Sequence, residues 1–384
     1  MDKKTSRKFK SYYFFKFIGQ GALYPFIVLF LTSRGIKGSA LGLLLMMLPL
    51  GKVVLLPLIG YVCDLYRIHK IVLIVSVILN ATGALMLAFL PPDFSFSFIA
   101  ILLITLGEAS SDTLINTLSI DYLSRSNNQT HFGKWRLWGA IGYMAGSFSL
   151  GLFQFDQILK LIPLLFAGAN IFAFSLSFLL PRSSVKKPTD WLGGIKIITN
   201  NKPYSLLLVG MVITGVAFSN VISYYTVYMN EIGAMSWMLG TGVALQTLIE
   251  ITLSANTKKI AGKLPLRFIY VFGFIILPIR SFLYLINRTP IIGLLIQNLH
   301  GFFIFSAFII GLIVLDKNLA PEWRSSGQSF YTSAIGGVGA LLGSFFSPLI
   351  YDKFGMEMIW TFTTICAIIG LVLVAKASKK LAPN

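Results

Sequence analysis

Apolar runs of about 20 residues, each closed by a short polar break, recur from end to end of this 384-residue chain. Wound as helices, runs of that length cross bilayer hydrocarbon, where a backbone must satisfy its own N–H and C=O groups. The pattern predicts an all-α membrane protein with many passes. Composition agrees: 12% of the residues are charged, against about a quarter in soluble domains. Twelve transmembrane helices are predicted, at roughly 11–33, 39–62, 70–90, 96–122, 133–154, 158–180, 204–229, 236–256, 266–286, 290–316, 327–350 and 356–376. Lys16, Gln20 and Pro25 interrupt the first run and no small-residue cleavage site follows it, so it reads as a span and not as a signal peptide.

Residues 181–203 form the longest polar interval and are rich in Lys. This interval reads as a cytoplasmic linker between two six-helix bundles, 1–180 and 204–384. The formal charge is +18, from 32 Lys and Arg against 14 Asp and Glu. If the N-terminus is cytoplasmic, only Arg34, Lys37, Lys160, Arg288 and Lys353 fall on or beside outer connections. The basic excess is then an orientation signal that puts both termini in the cytoplasm. Split among short connections, it forms no tract for nucleic acid. Cys63 and Cys366 belong to different spans and read as reduced, packed thiols. Three scattered histidines, without a metal-ligand cluster or a phosphate loop, argue against a metal, a cofactor, an embedded enzyme or a receptor.

An ordered internal repeat supports the division into halves. Leu41-Gly42 in span two corresponds to Leu239-Gly240 in span eight, which aligns Lys52 with Glu250. Span five carries Ala140-Ile141-Gly142 and Gly146-Ser147-Phe148, and span eleven carries Ala334-Ile335-Gly336 and Gly343-Ser344-Phe345. Parallel repeats of this kind suit a carrier whose halves are related by an axis along the membrane normal, with a central site between them. Gly139, Gly142, Gly146, Gly339 and Gly343 give small helix faces, serving either plain packing or the sliding of one half on the other.

Chemistry is carried by ionisable groups within apolar spans: Lys16, Lys52, Glu108, Asp112, Arg136, Glu250, Arg280 and His300. Facing lipid, the first seven would oppose insertion by roughly 20 kcal/mol in total. They are therefore predicted to face a cavity or one another. Glu108 and Asp112 are four apart and share a helix face, fitted to proton or cation handling or to balancing a lysine. Arg136 and Glu250 are candidates to hold polar groups of a solute, with Tyr143 as a stacking ring. Asp64, Arg67 and Lys70 mark the turn after span two as a candidate gate.

The segments Gly21-Ala-Leu-Tyr-Pro25-Phe, Gly60-Tyr-Val-Cys-Asp64-Leu-Tyr-Arg67-Ile-His-Lys70 and Phe132-Gly133-Lys-Trp-Arg136-Leu-Trp-Gly139-Ala-Ile-Gly142-Tyr143 resemble the major facilitator superfamily. The resemblance covers nearly the whole chain and lies nearest the proton-symporter branch of lactose, nucleoside and phenylpropionate permeases. It implies that Arg136 contacts solute, that Tyr143 stacks on a ring and that Glu250 partners them. It also implies substrate roles for Arg280 and His300, and a loop into span eleven at Pro321-Glu-Trp-Arg324. Departures are instructive. The usual glycine after Asp64 is lost, Gln297 and Phe303 stand where lactose permease carries a lysine and a glutamate, and Thr117 replaces a sugar-binding glutamate. Gln297 therefore joins the substrate candidates, and proton coupling is reassigned to Glu250, Asp112 or Glu108.

The expected function is import of a small polar organic solute, a sugar or nucleoside, by proton symport with alternating access in a monomer. An aromatic or organic acid permease and a proton-coupled efflux antiporter are the alternatives within transport. Span five lacks the Gly-Pro pair typical of the antiporter signature.

Overall fold

The computed structural model describes residues 2–125, 131–153, 155–181, 201–319 and 324–381. Among them the chain is helical throughout. In order the helices are α1 (Lys3–Leu23), α2 (Ile27–Ser33), α3 (Gly38–Tyr66), α4 (His69–Phe89), α5 (Phe94–Arg125), α6 (Phe132–Leu150) and α7 (Phe155–Ser177). They are followed by α8 (Lys202–Glu231), α9 (Ser236–Ala255), the short α10 (Thr257–Ala261), α11 (Leu266–Ile286), α12 (Pro290–Gln297), α13 (Leu299–Ile304), α14 (Gly311–Asn318), α15 (Arg324–Ser333) and α16 (Ala340–Leu381).

Nine segments of the described residues are long and apolar enough to cross a membrane, and α1 with α2, bent by 45°, makes a tenth. The bend falls at Tyr24–Phe26 around Pro25, whose missing N–H cannot continue the helical ladder. The longest segment, Gly327–Leu381, is interrupted at Gly355, where φ is 76° and ψ is −173°. Only glycine adopts such a backbone at little cost, so this segment makes two passes. Helix α6 completes twelve: its 19 residues reach about 28 Å, but glycines and charges dilute its hydropathy.

Contacts divide the chain into two compact units, Met1–Thr189 with Met235–Ala244, and Asp190–Ala234 with Leu245–Asn384. In the first, α1 packs on α6 and α7, α4 on α5 and α7, and α3 on α5. The closeness of α1 and α6 has a specific cause. A Cβ on Gly142 would run into the Phe14 carbonyl, one on Gly146 into that of Ile18, and one on Gly21 into that of Tyr143. In the second unit α8 packs on α16 and on the π-helical turn Ala334–Gly339, where a Cβ on Gly215 would lie 2.8 Å from the Gly339 Cα. The glycine faces of spans five and eleven thus serve packing inside their own units, each against that unit's first span.

A second π-helical turn, Phe305–Ile310, joins α13 to α14. Such turns free carbonyls from the helical ladder. Here the Ala307 carbonyl accepts from the Tyr331 hydroxyl at 2.8 Å, and Tyr331 in turn lies 3.0 Å from the Tyr270 hydroxyl. At the N-terminus Asp2 caps α1 by accepting from the Lys4 and Thr5 amides, both at 3.0 Å. The Thr5 hydroxyl, donating to Asp2 Oδ2 at 2.6 Å, and then these two amide bonds hold the exposed carboxyl below the usual range. Cys63 is buried, Cys366 is half-buried, and both are free thiols.

Two buried polar networks

The first unit brings Glu108 and Asp112 into one network with residues of α1. Lys16, Gln20 and Tyr24 fall one helical turn apart and so face a neighbour together, and Glu108 and Asp112 repeat that spacing on α5. Lys16, wholly buried, pairs with Glu108, which is 1% exposed, and stands 3.9 Å from Asp112, which is 33% exposed. Gln20 Nε2 donates to Glu108 Oε2 at 2.7 Å and to the Asp112 oxygens at 2.9 and 3.1 Å. The Tyr24 hydroxyl donates to Glu108 Oε2 at 2.6 Å, and Asn80 Nδ2, from α4, donates to Oε1 at 2.5 Å.

Glu108 therefore receives four donors, whereas among the described residues Asp112 has the Gln20 amide as its one hydrogen-bond donor and is 33% exposed. Asn80 is itself placed by Asn170 of α7, whose Oδ1 lies 3.2 Å away, and by the missing side chain of Gly107. Lys52, on α3, puts its ammonium 5.7 Å from the Tyr24 ring centroid. Tyr143 is half-buried and within electrostatic reach of Tyr24.

Arg136 stands apart from this network. Exposed on the first turns of α6, it is within electrostatic reach of Tyr13, whose hydroxyl donates to Asn116 Oδ1 at 2.7 Å. Among the described residues it makes no ion pair.

The second unit assembles Arg280, His300 and Gln297. Arg280, fully buried, points its Nη1 at His300 Nδ1 at 2.5 Å and its Nη2 at Gln297 Oε1. A guanidinium only donates. His300 Nδ1 is thereby an acceptor and the ring is neutral, carrying its proton on Nε2. The same logic orients a relay: Gln297 Oε1 also accepts from the Tyr284 hydroxyl at 2.6 Å, so its amide nitrogen turns to Gln246 Oε1, also at 2.6 Å. Gln246 is left presenting an NH2 group. It sits on α9 one turn before the half-buried Glu250.

Rings wall this centre. Phe218 stacks on His300 at 5.6 Å and 10°, and Arg280 lies 5.3 Å from the Tyr284 centroid. Among the described residues no carboxylate comes within ion-pair distance of Arg280, and its Nε is buried without a partner.

At the candidate gate Lys70 Nζ donates to the Phe178 and Leu180 carbonyls, both at 2.7 Å. It acts as a cap on the end of α7, where cations are favoured. Arg67 occupies the left-handed region at φ 57° and ends α3. That conformation favours glycine, which fits the turn in which the usual glycine is lost. The side chains of Asp64 and Arg324, and residues 321–323, lie outside the described residues.

Sequence reading singled out Lys16 and Lys52 only as intramembrane charges and passed over Gln20, Tyr24, Asn80, Gln246 and Tyr284 as site members. A signal was present for some of them: Gln20 is four residues from Lys16, and Gln246 is four from Glu250. A neutral amide one turn from an intramembrane charge shares its face.

Helices that each cross a bilayer, with charges buried inside two helical units, define a polytopic membrane carrier of small molecules. Residues 6–363 match the MFS_1 like family, and the chain belongs to this family of the major facilitator superfamily, whose members are transporters and not enzymes. It is 22% identical to a maltose permease of Geobacillus stearothermophilus over 97% of this chain and 94% of that protein. It is 23% identical to the putative nucleoside transporter YegT of Escherichia coli K12, over 96% of this chain and 93% of the relative. Among solved structures the nucleoside transporter NupG superposes with a TM-score of 0.82 at 18% identity, covering 99% of each chain. A POT family peptide transporter gives 0.75 at 12%, over 98% of this chain and 97% of that one. These structural matches establish the major facilitator fold.

Proposed function

We propose that the chain imports a sugar or nucleoside by proton symport, working by alternating access as a monomer with both termini in the cytoplasm. The observation that carries the coupling is the contrast between Glu108 and Asp112. Glu108 is saturated by four donors, while Asp112, 33% exposed and 3.9 Å from Lys16, keeps acceptor capacity for a proton. Protonation of Asp112 removes one negative charge from the first unit and leaves Lys16 to Glu108 alone. That neutralisation lowers the cost of enclosing the site from water. The relatives named as maltose and nucleoside transporters support a solute rich in hydroxyls.

In this reading Tyr143 stacks on a ring of the solute, and the Gln246 NH2 and Glu250 give the second unit a donor beside an acceptor. Arg136 serves as a further donor to solute. Arg280, His300 and Gln297 orient the relay from behind. Asp64, Arg67 and Lys70 belong to a gate. Counterflow of maltose and of uridine in proteoliposomes tests the solute class, and the effect of an uncoupler on accumulation tests the proton. Exchange of neither solute removes the proposed class, and accumulation that survives the uncoupler but needs sodium replaces the ion.

One observation favours a second reading. Arg280 has no carboxylate partner among the described residues, so an organic acid would supply the missing negative charge. Competition of counterflow by aromatic and aliphatic carboxylates separates the two.

A further inference from the structure

The segments Ser236–Ala255 and Leu266–Ile286 are each long and apolar enough to cross a membrane, so the residues joining them lie at a membrane surface. This connection and the first turn of α11 carry Lys258, Lys259, Lys263 and Arg267, and no Asp or Glu occurs from 251 to 315. Among the described residues none of the four cations pairs with a carboxylate. The Nε of Arg267 is buried without a partner. Four cations near other span ends are used by the protein itself. Arg34 donates to the Leu90 carbonyl at 3.0 Å, Lys70 caps α7, and Arg125 and Arg288 pair with Asp121 and Glu357. The connection also lacks support from packing: none of the residues of α10 is buried. Lys258, Lys259, Lys263 and Leu264 are exposed, as is Phe268 one turn further on.

We infer that residues 256–268 form a binding site for the headgroup of an anionic phospholipid. The chemistry of the patch selects that ligand. Ammonium and guanidinium groups only donate, and the ionised oxygens of a phosphodiester are the acceptors they bind most strongly. A basic cluster at a membrane surface draws in lipids of net negative charge, whereas a zwitterionic headgroup brings an ammonium of its own that offsets much of the attraction. Leu264 and Phe268, exposed beside the cations, give the acyl chains of the same lipid an apolar surface. A soluble polyanion would have no use for them. The lipid holds a short helix that no protein packing fixes, and with it the point at which α11 enters the bilayer. This site depends on neither the solute nor the coupling ion.

The test uses the full-length carrier with a fluorophore on Leu264→Cys. Cys366→Ser removes the half-buried thiol, and the buried Cys63 stays in place. Reconstituted in mixed vesicles, the labelled carrier is quenched by phosphatidylglycerol or by phosphatidylcholine with brominated acyl chains. Phosphatidylglycerol should be preferred at the label by at least about fivefold. Lys258→Gln, Lys259→Gln, Lys263→Gln and Arg267→Gln together should bring that ratio close to one. Equal quenching by the two lipids in the labelled parent overturns the site, and so does a preference that survives all four substitutions. Should the fourfold variant not fold, salt decides on the labelled parent: raising NaCl from ~0.05 to ~0.5 M should collapse the preference by screening, and an unchanged preference refutes it. Inorganic phosphate should do no more than NaCl of equal ionic strength. If it displaces phosphatidylglycerol beyond that, the patch binds a free anion and the lipid assignment fails.

Discussion

Lys16 and Glu108 form an ion pair in which the side chains are 0% and 1% exposed. Two charges taken that far from water are held only by each other and by the donors around them. Removing one partner of such a pair costs about 3–5 kcal/mol, because the other is left uncompensated. Lys16→Met should therefore unfold the carrier in detergent at a markedly lower temperature. Adding Glu108→Gln should restore most of the loss, which thermal unfolding of both variants measures. Equal stability of Lys16→Met and the parent would mean that the pair contributes nothing to folding.

Asp112→Asn cannot take a proton yet keeps a polar group in place. It should lose uptake driven by a pH gradient and retain counterflow, which needs no net proton movement. Vesicles with an imposed gradient measure the first, and equilibrated vesicles the second. If gradient-driven uptake survives, coupling moves to Glu250.

Arg280 engages His300 Nδ1 and Gln297 Oε1 through different nitrogens of one planar group. Lysine offers a single point of charge in place of that fork. Arg280→Lys should then release Gln297, free Gln246 to rotate and raise the counterflow KM by about tenfold, the cost of one charge-assisted hydrogen bond. Arg280→Lys with an unchanged KM would show that the relay does not orient the solute.

Arg136→Ala and Glu250→Gln should each abolish accumulation while the protein stays folded, as checked by size-exclusion chromatography beside uptake. Near-normal uptake in either variant removes that residue from the solute site. Tyr143→Phe should be milder than Tyr143→Ala, since a ring still stacks after its hydroxyl is lost, and equal losses would contradict stacking.

A Cβ at Gly142 would collide with the Phe14 carbonyl, whereas nothing lies within 4 Å of one at Gly336. Gly142→Ala should destabilise the first unit by about 1–3 kcal/mol through overpacking, and Gly336→Ala should be close to neutral. Thermal unfolding of the pair provides an internal comparison.

The apolar periodicity was enough to place the helices, because a chain in hydrocarbon has no other way to satisfy its backbone. Helix α6 shows the limit of hydropathy alone: Gly139, Gly142 and Gly146 dilute its apolar character while allowing it to sit directly on α1. The i, i+4 spacing also placed Glu108 and Asp112 on one face. Which partners those carboxylates would find was another matter. Lys16 and Glu108 are 92 residues apart, and Asn80 reaches Glu108 from a third helix.

In the second unit Gln297 and His300, three apart across Asn298, whose backbone stays helical at φ −62° and ψ −25°, share one face and meet the Arg280 guanidinium of α11. Nothing local in the chain announces that meeting. Local sequence determines helix formation and membrane placement, since both depend on the nearest residues and the surrounding solvent. Which carboxylate is fully paired and which keeps open acceptor positions depends on how many donors the packed helices deliver to each. That count exists only once the helices have come together.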